Sequence, residues 1–319
     1  MKLLFITSTR IGDAVLSTTL LFHLVQKHPD ADITIVCGPA AAPLFAETPG
    51  VRRVIAMEKR AMGAHWPALW RQVCFGYWNL VVDLRASALA YCLLAGRRMV
   101  WRARGGMDHR LVALAQFAGL DAPPAPRLWP GAAHEAEATR LMPEGPVLAL
   151  GPTANWVGKQ WPGENFAALA KGLTAPDGIL PGAAILVFGA ASERGAAAAA
   201  IDALPPDRVS DLVGKVDLLT AAAMLAHADF YIGNDSGLMH IAAAAGAPTL
   251  GLFGPSREAH YAPWGPRAGV VRTAKSYDEL VGGPGYDHRT TGSLMESLTV
   301  EMAEAGARDL WARVSGPAA

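Results

Sequence analysis

This sequence predicts two doubly wound α/β domains, each a parallel sheet with helices on both faces, facing a central cleft. Three observations carry that prediction. Short apolar, β-prone runs alternate with helix-period segments along most of the chain, the pattern of parallel strands joined by crossover helices. One stretch, from Asp121 to Gly145 with the adjoining Pro146, breaks the alternation with six prolines, at 123, 124, 126, 130, 143 and 146. Finally, 319 residues suit about two domains of ~150 residues. The boundary is placed between residues 144 and 145, giving domains 1–144 and 145–319, with the last helix packing back toward the first domain.

The elements follow in order. Lys2 to Thr7 is a buried strand, 9–13 a loop, and Ala14 to Lys27 a helix with an apolar stripe through Val15, Leu16, Leu20, Leu24 and Val25. Strands are expected at Ile33–Cys37, Arg53–Met57, Leu80–Leu84 and Met99–Arg102. Helices are expected at Trp66–Tyr77, Ala86–Leu94 and Arg110–Ala118, with a short one near His134–Leu141. The second alternation places strands at Val147–Leu150, Ala184–Phe188, Val209–Leu212, Asp229–Ile232, Thr249–Phe253 and Val270–Arg272. Its helices are Glu164–Leu173, Glu193–Leu204, Leu218–His227 and Leu238–Ala245, the last stopped by Gly246 and Pro248. Tyr277 to Thr291 reads as a polar, glycine-rich loop, and Leu294 to Val314 as a final helix.

The stretch from Ala228 to Pro255 concentrates the chemistry. Gly233-Asn-Asp-Ser-Gly237 sits where a strand's carboxyl end feeds a helix amino end. Free N–H groups and the helix dipole there favour an anion such as phosphate. Ser236 and Gly237 permit close backbone approach, and His240, four residues on, shares the face of Ser236. Asp235 suits a helix cap or a sugar hydroxyl. An ordinary capped crossover, with His240 packed on the sheet, explains the same residues.

Two further loops occupy equivalent edges. Asp13 stands at a helix amino end after the first strand, where it serves as a cap or, facing a cleft, as a general base. The loop 151–162, GPTANWVGKQWP, carries Thr153 and Lys159, groups able to donate to a diphosphate. It is not a phosphate-binding P-loop, because six residues separate Gly151 from Gly158 and Gln160 stands where Ser or Thr would bind Mg²⁺. Glu193, opening the helix after Phe188, either complements the helix dipole or recognises a ribose or base. No GxGxxG follows the first strand, which argues against a dinucleotide-dependent oxidoreductase. Asp30-Ala31-Asp32 spells the DxD of metal-dependent glycosyl transfer but falls in a turn before a strand, away from the ligand edge.

Formal net charge is zero, with 28 basic and 28 acidic residues, so bulk electrostatics give no reason to expect a nucleic-acid partner. Arg97, Arg98, Arg102, Arg104 and Arg110, with Arg52, Arg53, Lys59 and Arg60, are solvated surface or a cradle for an acidic acceptor. Cys37, Cys74 and Cys92 are widely spaced, lack metal spacing, and read as reduced buried thiols of a cytoplasmic protein. The N-terminal apolar run is too short for a signal peptide, and no run is long enough to span a membrane.

Four segments, in order and across most of the chain, resemble glycosyltransferase family 9, the bacterial lipopolysaccharide heptosyltransferases. They are Arg10-Ile-Gly-Asp13 with its helix; Gly151 to Trp161, ending KQWP; FGAASE from Phe188 to Glu193; and NDSGLMH from Asn234 to His240, followed by LFGP. The tail SLMESLTVEMAEAGARDLW is similar to the family's closing helices. Two departures stand out: the long GPTANWVGKQW loop in place of a compact Thr or Ser pair, and the lack of a Cys-rich ending after Pro263. The resemblance implies a GT-B fold and inverting, metal-independent transfer of a sugar from a nucleotide sugar, ADP-heptose in characterised members, to a lipopolysaccharide-core acceptor. It implies Asp13 as the base and Arg10, Gly12 and Arg60 on the acceptor side. On the donor it implies Thr153, Lys159, Glu193, Asp235, Ser236, Gly237, Leu238 and His240. No metal or other cofactor is implied; the partners are the nucleotide sugar and a lipid-linked or other glycan, with peripheral attachment at the inner leaflet of the inner membrane. The competing readings are a GT-B enzyme with another donor or a capsule or glycoprotein acceptor, and a nucleotide-binding module without transfer activity.

Overall fold

The computed structural model describes residues 1–58, 61–102, 106, 108–283 and 286–316. Two compact units emerge, Met1–Gly131 and Ala132–Ala319.

The first unit contains β1 (Lys2–Ile6), α1 (Ile11–Lys27), β2 (Asp32–Cys37), β3 (Val51–Ala56), α2 (His65–Val73), β4 (Trp78–Asp83), β5 (Ala95–Val100) and α3 (Arg110–Ala118). Its strands are all parallel in the order β3-β2-β1-β4-β5. Leu4, Ile6, Val36 and Val81 on the strands bury against Leu69, Val73 and Leu89; each such side chain stabilises the fold by about 1.5–3 kcal/mol. Cys37 is buried, which pushes its thiol up to about 12, whereas Cys92 is exposed, contrary to the expectation that all three thiols are buried.

Two local expectations fail here for identifiable reasons. In place of a helix over Ala86–Leu94 there is only a 3₁₀ turn, Ala88–Cys92. The buried Asp83 carboxylate accepts from the Arg85 N–H at 2.8 Å, the Ser87 N–H at 2.9 Å and the Ser87 hydroxyl, and Ala86 takes φ +52°. Those side-chain bonds compete with helix formation. The proline-rich stretch is also no free linker. Its first half lies on α1: Thr19 donates to the Pro124 carbonyl, Arg127 N–H donates to Thr18 Oγ1 at 3.0 Å, and Trp129 stacks at a tilt on Phe22.

The second unit opens with α4 (Ala132–Leu141), ahead of the Pro143–Pro146 punctuation. There follow β6 (Val147–Gly151), α5 (Gly163–Leu173), β7 (Ala184–Val187), α6 (Arg194–Asp202), β8 (Val209–Asp211), α7 (Leu218–Ala226), β9 (Phe230–Asn234), α8 (Gly237–Ala245), β10 (Thr249–Phe253), α9 (Glu258–Tyr261), β11 (Ala268–Arg272), α10 (Tyr277–Val281) and α11 (Val300–Ser315). The six strands are parallel in the order β11-β10-β9-β6-β7-β8. α4 packs on α7, and α11 packs on α5, β10 and β11 of its own unit. The core includes Trp161, Phe166, Ile185, Phe230, Met295 and Leu310. Part of the expected loop after Tyr277 is helical, because Ser276 and Glu279 form a capping box. The last helix starts at Val300, capped by Thr299, rather than at Leu294. No described helix is long and apolar enough to cross a membrane.

Gly151 and Gly233 are register partners on β6 and β9. A Cβ on either would overlap the hydroxyl end of the fully buried Tyr231 ring. Gly151→Ala is therefore expected to cost about 1–3 kcal/mol by overpacking, read as a lowered denaturant midpoint. An unchanged midpoint would show that the ring can move.

Candidate active site

In a doubly wound sheet, ligands bind outside the strand carboxyl ends where the strand order reverses. The second unit reverses between β6 and β9, and the donor-side candidates gather along that edge. Asn234 is fully buried and ties the two loops together: its amide donates to the Pro152 carbonyl at 2.8 Å and its Oδ1 accepts from Trp161 N–H at 3.1 Å. Asp235 does not cap α8. The cap position is Ser236, whose side chain makes no capping bond. The Asp235 carboxylate instead pairs with Lys159 Nζ at 2.5 Å, with side chains 8% and 25% exposed. Thr153, buried, donates to Glu193 Oε2 at 2.8 Å, and the Ala190 N–H donates to the same oxygen at 3.0 Å. Gly237 and Leu238 open α8 and are half-buried, and His240 is buried one turn further on.

The loop from Trp156 to Trp161 is held from the far end of the chain. Trp156 Nε1 donates to the His288 carbonyl at 2.8 Å, and Ser293 Oγ donates to the Gln160 carbonyl at 2.6 Å. Leu294 N–H reaches the Gly158 carbonyl at 3.0 Å, and Trp161 Nε1 reaches that of Leu298 at 2.7 Å. An ammonium, two hydroxyls and a helix amino end without a side-chain cap suit a diphosphate. The two carboxylates suit sugar or ribose hydroxyls.

The first unit reverses between β1 and β4. A cavity of about 100 Å³ lies at that point, lined by residues 7–9, Asp13, Ser17, Leu84, Arg85, Arg110 and Leu114. Asp13 is the third residue of α1, and the cap position belongs to the exposed Arg10. The Ser8 hydroxyl donates to Asp13 Oδ2 at 3.4 Å. Gly12 precedes Asp13 in the first turn. Arg60 and Arg104 lie outside the described residues. Arg98 is used structurally, donating to the carbonyls of Ala90 and Leu93 at 2.9 and 2.5 Å.

Arg85 was not singled out from the sequence. Its Nη1 is buried without a hydrogen-bond partner, and burial pushes its guanidinium below its ordinary value, with Asp83 opposing. The available signal was its position directly after a strand's carboxyl end. Arg110 lies over the Trp101 ring at 3.5 Å. A carboxylate lining one cavity with two arginines can take a proton from a hydroxyl while an anionic substituent is held within the same cavity. The DxD segment lies at the amino end of β2, where Asp32 makes an exposed ion pair with Arg52. Among the described residues no group of three or more His, Cys, Asp or Glu side chains is placed to hold a metal.

Residues 85–281 match the family profile described as glycosyltransferase family 9 (heptosyltransferase). The chain belongs to that family. The matched stretch contains every donor-side candidate and begins after Asp13. Lipopolysaccharide heptosyltransferase 2 of Salmonella typhimurium is 28% identical over 322 residues, covering 88% of this chain and 90% of the relative. The solved E. coli ADP-heptose lipopolysaccharide heptosyltransferase II superposes with a TM-score of 0.75 at 22% identity, over 99% of this chain and 100% of the other. An E. coli heptosyltransferase solved with ADP gives a TM-score of 0.70 at 19% identity, over 97% and 100%. These likenesses show the fold, two Rossmann-like domains of the GT-B type, and family membership makes the chain a glycosyltransferase.

Proposed function

We propose that this family 9 enzyme transfers a heptose from ADP-heptose to a lipopolysaccharide-core acceptor, with inversion and without a metal. The reading rests chiefly on the convergence of Lys159, Thr153, Ser236 and the uncapped α8 amino end at the β6/β9 reversal. Relatives named lipopolysaccharide heptosyltransferase supply the sugar and acceptor. Asp13 takes the proton of the acceptor hydroxyl, whose oxygen attacks the anomeric carbon opposite the departing ADP. The bond from that carbon to the diphosphate oxygen breaks, and the developing charge is met by Lys159 and the α8 amino end. Glu193 binds the nucleoside, while Asp235, Leu238 and His240 hold the sugar side. Arg10, Gly12 and Arg60 belong to the acceptor side. The setting is cytoplasmic, at the inner leaflet where the acceptor is lipid-linked.

Calorimetry with ADP, UDP and GDP tests the donor, and transfer from ADP-heptose to a heptose-deficient core tests the reaction. ADP alone is expected to bind, and turnover is expected to survive EDTA. Binding of UDP only would replace the heptose reading with another GT-B donor. ADP binding without transfer to any glycan would favour a binding module. On the acceptor side, Arg85→Met is expected to raise the acceptor KM about tenfold, the weight of one charged hydrogen bond, with little change in kcat. An unchanged KM would remove Arg85 from acceptor recognition.

A further inference from the structure

Tyr231 lies under the donor-side edge, and its hydroxyl has no hydrogen-bond partner although the residue is completely buried. Its ring end lies over Gly151 and Gly233, the register partners that flank the strand reversal, and both positions lack the Cβ that would displace it. The Ser236 hydroxyl oxygen, at the α8 cap position, is likewise buried and without a partner. Burial raises the phenol far above its ordinary value; the Ser236 hydroxyl, close by but not in the geometry of a formed hydrogen bond, offsets part of that rise and the Glu193 carboxylate adds to it. Tyr231 therefore keeps its proton and is a hydrogen-bond donor at neutral pH. Two neighbouring buried hydroxyls left unsatisfied at an uncapped helix amino end carry a desolvation cost that a bound anion can relieve.

We propose that Tyr231 is a positioning residue for the donor diphosphate: when the diphosphate binds, the Tyr231 hydroxyl comes to donate to Ser236 Oγ and so directs the Ser236 proton to a phosphate oxygen at the α8 amino end. The inference deepens the donor-site reading above and rests on it. No atom of Tyr231 touches the ligand. Its effect passes through Ser236, and the coupling should appear only when the ligand carries a diphosphate.

The test uses the full chain, with Tyr231→Phe, Ser236→Ala and the double variant titrated with ADP and with adenosine. Tyr231→Phe removes an unpartnered hydroxyl and keeps the ring, so the ligand-free protein should melt at or above the wild-type temperature. ADP affinity should fall about tenfold, adenosine affinity should not change, and Tyr231→Phe should have no further effect on ADP in the Ser236→Ala background. ADP binding unchanged by Tyr231→Phe, or weakened equally with and without Ser236, overturns the inference alone. If wild-type protein fails to bind ADP, the donor-site reading falls and the inference falls with it. Should Tyr231→Phe not fold, Ser236→Ala carries the test: it must weaken ADP while sparing adenosine, and failure to do so overturns the proposal.

Discussion

Asp13→Asn is expected to slow transfer by about 100- to 10,000-fold, the range lost with a general base, while ADP binds as tightly as to wild type. The substitution keeps size and hydrogen-bonding capacity and removes only basicity. Asp13 sits in the first turn of α1 without capping it, so its interaction with the helix dipole is worth about 0.3–1 kcal/mol, too little to unfold the unit. Single-turnover transfer measured beside calorimetry separates chemistry from donor binding. A rate within a fewfold of wild type would return Asp13 to the role of an ordinary helix-end acid.

Lys159→Met should act on binding and stability together. One charge-assisted hydrogen bond to a phosphate contributes about 1.5–3 kcal/mol, so ADP affinity should drop roughly 10- to 100-fold. The variant also leaves Asp235 nearly buried without its cation. Removing one member of a buried pair costs about 3–5 kcal/mol, and the low end applies because Lys159 is a quarter exposed. The double variant Lys159→Met/Asp235→Asn separates the two effects. Thermal stability should recover while ADP stays weak. Recovery of both would mean that Lys159 only neutralises Asp235 and never meets the diphosphate.

The architecture was legible because its central strands, such as LLFI in β1 and LVVD in β4, are buried on both faces and therefore apolar throughout. Strand β5 was displaced by several residues because Arg97 and Arg98 interrupt the apolar run of an exposed edge strand. The false helix at Ala86 follows the high helix propensity of alanine and leucine; the buried Asp83 that defeats it acts through three hydrogen bonds no periodicity records. The segments 9–13, 151–162 and 233–237 do lie at strand carboxyl ends, those of β1, β6 and β9, as the alternation of apolar runs predicts. Partnerships were not legible: Lys159 and Asp235 stand 76 positions apart, and only the β6–β9 register brings them together. Tyr231 read as one more apolar strand residue, since nothing local shows that two glycines leave room for its hydroxyl.

The four ties from residues 288–298 to the Trp156–Trp161 loop have a practical reach beyond the pocket. A C-terminally shortened polypeptide ending near residue 285 would keep all six strands of the second sheet yet lose these ties to the Trp156–Trp161 loop, together with Met295 and Leu310 of the core. Edits in that distal tail therefore reach the Lys159-bearing loop across 132 positions of sequence, from His288 to Trp156.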